Sequence, residues 1–161
     1  MTTSTNTTSA NTTATRYLPP GLPAPVADAD GLTAPYWDAL RGERLLVQRC
    51  PRCHAWQWGP EWLCHRCHSL EIAYVEVAPA GVLYSWQRVW HPVHPALDQA
   101  GPYLIGLVEL PDAGRVRMVG NILGDPLRPP RIGEPMRGVF EHAVDARQRP
   151  YTLLHWEPAA G

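Results

Sequence analysis

The sequence predicts a mainly β chain: a short N-terminal helix, a metal-stapled ribbon, then a small closed barrel. Three observations carry this. Two Cys-x-x-C knuckles, Cys50-Pro51-Arg52-Cys53 and Cys64-His65-Arg66-Cys67, stand ten residues apart. From Ala80 to Trp156, short apolar runs alternate with turn chemistry and none has the length or period of a long helix. The 18 Pro and 13 Gly are more than long helices tolerate.

Residues 1–27 read as a disordered tail. Met1 to Thr15 is Thr, Ser, Asn and Ala, too polar to bury anything, and Leu18 to Val26 is Pro-rich and extended. With no charged n-region or apolar h-region, no signal peptide is expected. No run approaches the ~18 apolar residues of a membrane span. The expected compartment is the cytoplasm, where four cysteines favour metal over disulfides.

Residues 28–78 hold the helix and the ribbon. Thr33 is placed to cap the helix, Pro35 fits its first turn, and Gly42 closes it. Tyr36, Trp37 and Leu40 share one face. Arg44 to Gln48 reads as a strand into the first knuckle and Glu71 to Val77 as the strand leaving the second.

Residues 79–158 supply five strands. In Gly81 to Trp90, alternation puts Val82, Tyr84, Trp86 and Trp90 on one side, with Leu83 and Val89 on the other. Tyr103 to Leu110 is the most apolar run and reads as buried on both faces. Arg115 to Asn121, Met136 to Glu141 and Tyr151 to Trp156 complete the set. Five Gly-bent strands in roughly 75 residues suit an OB-fold, with an SH3-like barrel as the nearest rival.

The cysteine pattern has a specific chemical meaning. Each knuckle converges two thiolates, and two facing knuckles make a closed tetrahedral site for one Zn2+. Such a site has no open position for water, so it stabilises structure and performs no hydrolysis. For so short a segment, metal affinity is expected to be essentially the folding energy, on the order of 10 kcal/mol or more. Iron in a tetrathiolate uses the same ligands. His54 and His68 follow the knuckles and His65 lies inside the second. As ligands they are redundant; after a knuckle, the backbone is expected at positive φ, which His tolerates.

Taken together, the order of elements carries a resemblance. Tyr36-Trp37-Asp38-Ala39-Leu40-Arg41-Gly42 precedes Leu45 to Cys50; then come the knuckles, Val75-Glu76-Val77, Gly81 to Ser85, His91-Pro92-Val93-His94-Pro95, Pro102 to Leu110 and Ile132 to Met136. From about residue 28 to 158 the chain resembles the zinc-ribbon/OB-fold acyl-CoA-associated family, catalogued as domain of unknown function thirty-five. The resemblance implies a rubredoxin-like ribbon with Cys50, Cys53, Cys64 and Cys67 on zinc, joined to an OB-fold. It implies no activity of the chain's own. Members accompany thiolase-like enzymes, including thiolases, sterol side-chain aldolases and acyltransferases. Members commonly carry Gly after each knuckle, where this chain has His54 and His68.

The expectation is therefore a non-catalytic accessory subunit of a thiolase-like acyl-CoA enzyme. Tyr36, Trp37, Trp56, Trp58, Trp62, His91 and His94 are the candidate interface residues, because large aromatics dominate interfaces. Arg115 and Arg117, two apart on a strand and so on one face, are candidates for the phosphates of a CoA thioester at a shared interface. All 14 basic residues are Arg, which excludes lysine chemistry. His91 and His94 are the obvious acid–base candidates, but no nucleophile accompanies them. The alternative is a single-stranded nucleic-acid module. A net charge of −1, with acidic residues interrupting every basic stretch, argues against it.

Overall fold

The computed structural model describes residues 22–25, 31–99, 101–145 and 147–159. Most of the expected tail, residues 1–27, lies outside the described residues. Of its Pro-rich part, residues 22–25 carry no regular secondary structure, and Ala24 and Pro25 lie beside Trp37 and Tyr151.

Helix α1 (Ala34–Arg41) starts at Thr33, but the hydroxyl does not cap it. The Thr33 carbonyl accepts instead from the Tyr36 and Trp37 amides. At the other end, the left-handed residue is Glu43 (φ 55°), not Gly42. The Glu43 N–H bonds to Leu40 O and the Arg44 N–H to Ala39 O, the paired C-terminal closure usually built on glycine.

Strands β1 (Leu45–Arg49), β2 (Trp56–Gln57) and β3 (Ala73–Val77) form an antiparallel sheet in the order β2-β1-β3. The two-residue β2, between the knuckles, is a strand that sequence reading missed. Strands β4 (Ala80–Val89), β5 (Tyr103–Leu110), β6 (Val116–Ile122), β7 (Pro135–Val144) and β8 (Pro150–Pro158) close a barrel in the order β4-β5-β6-β8-β7. The third and fifth barrel strands pair in parallel, Ile122 opposite Trp156, and the fourth returns to the first. That circuit is the OB-fold and rules out the SH3-like alternative. No helix among the described residues is long and apolar enough to cross a membrane.

Two expectations about the barrel need correction. Strict alternation fails in β4, because the register slips between Leu83 and Ser85. Tyr84 is the extra residue of a bulge, so Leu83 and Trp86 reach the same side, opposite Val108 and Gly106. Tyr84 and Trp90 are exposed while Leu83 is fully buried. Strand β5 is buried on one face, through Leu104, Gly106 and Val108, and only half-covered at Tyr103, Ile105 and Leu107 on the other.

One apolar core runs through both sheets. Leu45, Val47 and Val77 of the ribbon pack in the same cluster as Leu83, Val108, Leu110, Met118 and Trp156 of the barrel. Each fully buried side chain of this size contributes about 1.5–3 kcal/mol. Trp156 fills the barrel because residue 120 is glycine: a Cβ there would lie 2.8 Å from the indole. Gly114 (φ 62°) does the same at the junction, where a Cβ would meet Trp56 at 2.5 Å. Glu141 and His155, both buried, pair at 2.8 Å between β7 and β8.

Candidate metal centre

The two knuckles have matching backbone geometry. In the first, the Cys50 amide bonds to Ala55 O and the His54 amide to Cys50 O; in the second, the Cys64 amide bonds to Ser69 O and the His68 amide to Cys64 O, all at 2.9 Å. His54 (φ 60°) and His68 (φ 58°) sit in the left-handed region, as the sequence predicts for residues after a knuckle. Backbone N–H groups point at sulfur, from Cys53 to Cys50 Sγ at 3.5 Å and from Arg66 to Cys64 Sγ at 3.4 Å.

The knuckles bring Cys50, Cys53, Cys64 and Cys67 together, with all four Sγ atoms within 4.8 Å of one another. Across the pair, Cys50 Sγ lies 3.6 Å from Cys67 Sγ and Cys53 Sγ lies 3.5 Å from Cys64 Sγ. A regular tetrahedron with metal–sulfur bonds of ~2.3 Å has sulfur–sulfur edges of about 3.8 Å, so the donor set fits one tetrahedral ion. Protonation follows the same geometry. Backbone N–H groups of Cys67 and then Arg66 lower the Cys64 thiol to about 6, against desolvation. At Cys53 the Ala55 N–H lowers the pKa, but desolvation and the three neighbouring sulfurs outweigh it and raise it to about 12. Four sulfurs this close hold their negative charge well only around a cation.

The other candidates are distributed unevenly. Trp56, Trp58, His65, Arg115 and Arg117 line one open cleft of about 340 Å3 between ribbon and barrel. Trp56 and Trp58 are half-buried against the core there, and Tyr36 meets Trp58 edge to face at 4.8 Å. Burial of the Tyr36 phenol pushes its pKa above the usual tyrosine range. Arg115 does not belong to β6; it precedes the strand in the left-handed region (φ 64°). It still reaches the same carboxylate as Arg117: Glu109 takes Arg115 on one oxygen at 2.8 Å and Arg117 on the other at 3.2 Å. Arg117 also lies over the Tyr84 ring at 3.4 Å.

Trp62 projects from the segment between the two knuckles at 56% exposure, and Trp37 is half-buried on α1. His91 and His94 are elsewhere, in the β4–β5 loop. His91 is exposed, and His94 Nδ1 accepts from the Ala96 amide at 3.1 Å, capping a short turn. Sequence reading also missed Arg88. Its guanidinium lies over both the Trp86 and Trp90 rings and donates to Pro126 O and Leu127 O, tying β4 to the β6–β7 loop.

Comparison with known proteins agrees with this architecture. Residues 74–141 match the family model described as ChsH2, C-terminal OB-fold domain. A chain of the structure described as the Ltp2-ChsH2(DUF35) aldolase is 31% identical, with a TM-score of 0.67, over 85% of this chain and 100% of that one. A DUF35-family protein of unknown function from Sulfolobus solfataricus shares the fold at 16% identity and a TM-score of 0.52, over 78% of this chain and 84% of that one. A Thermomonospora curvata protein described as a probable enoyl-CoA hydratase alpha subunit is 34% identical over 114 residues, 71% of this chain. The chain spans about a third of that relative's length, 34%. With the barrel circuit, the paired knuckles and these similarities in agreement, the chain belongs to the DUF35 family of OB-fold proteins.

Proposed function

We propose that this chain is a non-catalytic, zinc-carrying accessory subunit that binds and supports a thiolase-like acyl-CoA enzyme in the cytoplasm. The observation that carries the reading is the similarity along 85% of the chain to the whole of a chain from the Ltp2-ChsH2 aldolase. The resemblance to an enoyl-CoA hydratase alpha subunit supports the same acyl-CoA class.

In this reading Cys50, Cys53, Cys64 and Cys67 hold one zinc ion, which supplies cross-linking rather than Lewis-acid chemistry. The metal-held segment presents Trp62, and α1 presents Trp37, to the partner. Tyr36, Trp56 and Trp58 back this surface from the core side, and His91 and His94 contribute from the loop beyond β4. Arg115 and Arg117 share one carboxylate, which leaves one unit of positive charge beside two indoles. That environment suits a phosphate of a CoA thioester at the shared interface.

Affinity purification of the full chain, co-expressed with a thiolase-like enzyme from the same source, tests the reading. A stable complex is expected, with one zinc per copy of this chain by elemental analysis. Trp62→Ala is expected to weaken the complex by about 2 kcal/mol or more, as truncating an aromatic anchor does. Acyl-CoA turnover by the isolated chain, or salt-sensitive binding to single-stranded DNA with no enzyme partner, would overturn it.

A further inference from the structure

Between Gln57 and Ala73 the chain forms no strand. Among the described residues, the backbone–backbone hydrogen bonds of residues 59–72 both stay inside the second knuckle, Cys64 to Ser69 and His68 to Cys64. Yet Cys64 and Cys67 face the first knuckle closely enough for a shared ion. Sulfur alone does not account for that placement, because two buried amides reach the same segment.

Gln48 on β1 is 2% exposed and Gln57 on β2 is 6% exposed. Gln48 Oε1 accepts from Gln57 Nε2 and from the Glu61 amide, each at 2.9 Å, while Gln48 Nε2 donates to Glu61 O at 3.2 Å. Gln57 Nε2 also donates to Leu63 O at 3.1 Å. Gln57 Oε1 accepts from the His65 amide at 3.1 Å and from His65 Nδ1 at 3.2 Å. Every backbone group addressed lies at Glu61, Leu63 or His65, the residues that run into and through the second knuckle.

A glutamine buried this deeply is costly unless its amide is satisfied. Here both amides converge on one segment, with Gln48 also facing the Tyr74 phenol, and that segment carries Cys64. We propose that Gln48 and Gln57 are positioning residues of the metal centre. They clasp residues 61–65 against the ribbon sheet and so set how tightly the metal is retained. This rests on reading the four cysteines as a metal site. The clasp acts from outside the ligand sphere, where removing a partner commonly costs 10- to 100-fold in affinity.

The test uses the full zinc-loaded chain and follows metal release to the chromogenic chelator 4-(2-pyridylazo)resorcinol under native conditions. The variants are Gln57→Leu, Gln48→Leu with Gln57→Leu, and Gln48→Glu. The Leu variants are expected to release zinc about 10-fold faster or more. The barrel's thermal transition should persist, and the d–d bands of the cobalt-substituted form should change. Gln48→Glu keeps the oxygen that serves Gln57 Nε2 and the Glu61 amide but loses the donor to Glu61 O and buries a carboxylate, so it too should release zinc faster than wild type. Wild-type release rates and cobalt spectra in Gln57→Leu would overturn the inference, whether or not the double variant folds. Wild-type protein that folds without binding any metal would instead sink the reading of the cysteines, and this inference with it.

Discussion

The barrel and the cysteine-knuckle segment, joined at β3–β4, hold their chains in place by different means. In the barrel, strand ladders run around a closed circuit and Trp156 fills the interior against Gly120. Residues 50–72 have only a two-residue strand, and apart from Trp56 and Trp58, which pack on the core, what holds them is four clustered sulfurs and two glutamines. The boundary between these modes does not follow the division into ribbon and barrel. Leu45, Val47 and Val77 belong to the barrel's core cluster, so β1 and β3 are anchored by apolar burial as the barrel is. The expectation that metal affinity supplies the folding energy concerns Cys50 to Cys67, and β1 and β3 lie outside that segment.

The largest way to break this contrast is to remove the metal centre. In Cys50→Ser with Cys64→Ser, elemental analysis should find no bound metal, and hydrogen exchange should lose protection across residues 50–72. Protection should persist at Leu45, Val47 and the barrel strands. Loss there as well would mean that the barrel too depends on the metal.

Next in size is Trp156→Ala, which empties the barrel centre and should cost about 3–5 kcal/mol in denaturant unfolding. If metal retention in the still-folded population stays unchanged, the two regions are held independently.

Alkaline titration sharpens the contrast at the junction. Burial raises the folded-state pKa of Tyr36. Above about pH 10 the unfolded chain loses this proton while the native state keeps it. Stability is therefore retained below that pH and falls as pH rises, by up to about 1.4 kcal/mol per pH unit for one proton. Tyr36→Phe should remove part of that slope. Tyr74, whose pKa desolvation also raises, accounts for more of it. An unchanged slope would mean that the Tyr36 phenol is not sheltered.

The smallest effect is at the helix end. Glu43→Gly should stabilise the chain by about 0.5–1 kcal/mol by relieving the left-handed residue. The loss of its 3.0 Å contact with His142 offsets part of this.

Much of this was legible from local pattern. Knuckle spacing located the sulfurs, turn residues separated the strands, and positive φ was foreseen for His54 and His68. Other features were hidden for physical reasons. The bulge at Tyr84 arises from how β4 must pair with β5, and alternation within one strand carries no record of its partner's register. Arg115 was taken for a strand residue because arginine rarely adopts positive φ, and only the tight β5–β6 turn imposes it. Gln48 and Gln57 did leave a signal. Each interrupts an apolar or aromatic stretch, in Leu45-Leu46-Val47-Gln48 and Trp56-Gln57-Trp58, where a polar side chain needs a buried partner. Which partner it finds is not written locally.

The amino-acid order by itself determined the ligand chemistry, the barrel's strand count and the mainly β class. These depend on residue type and short spacing, which a chain carries whatever its path. Only the tertiary structure decided that the ribbon sheet shares the barrel's core, that β6 and β8 run parallel, and that Glu109 gathers Arg115 and Arg117. Each of those joins residues distant in the chain or depends on register, and closing the barrel selects them by burying as much apolar surface as possible while leaving buried polar groups paired.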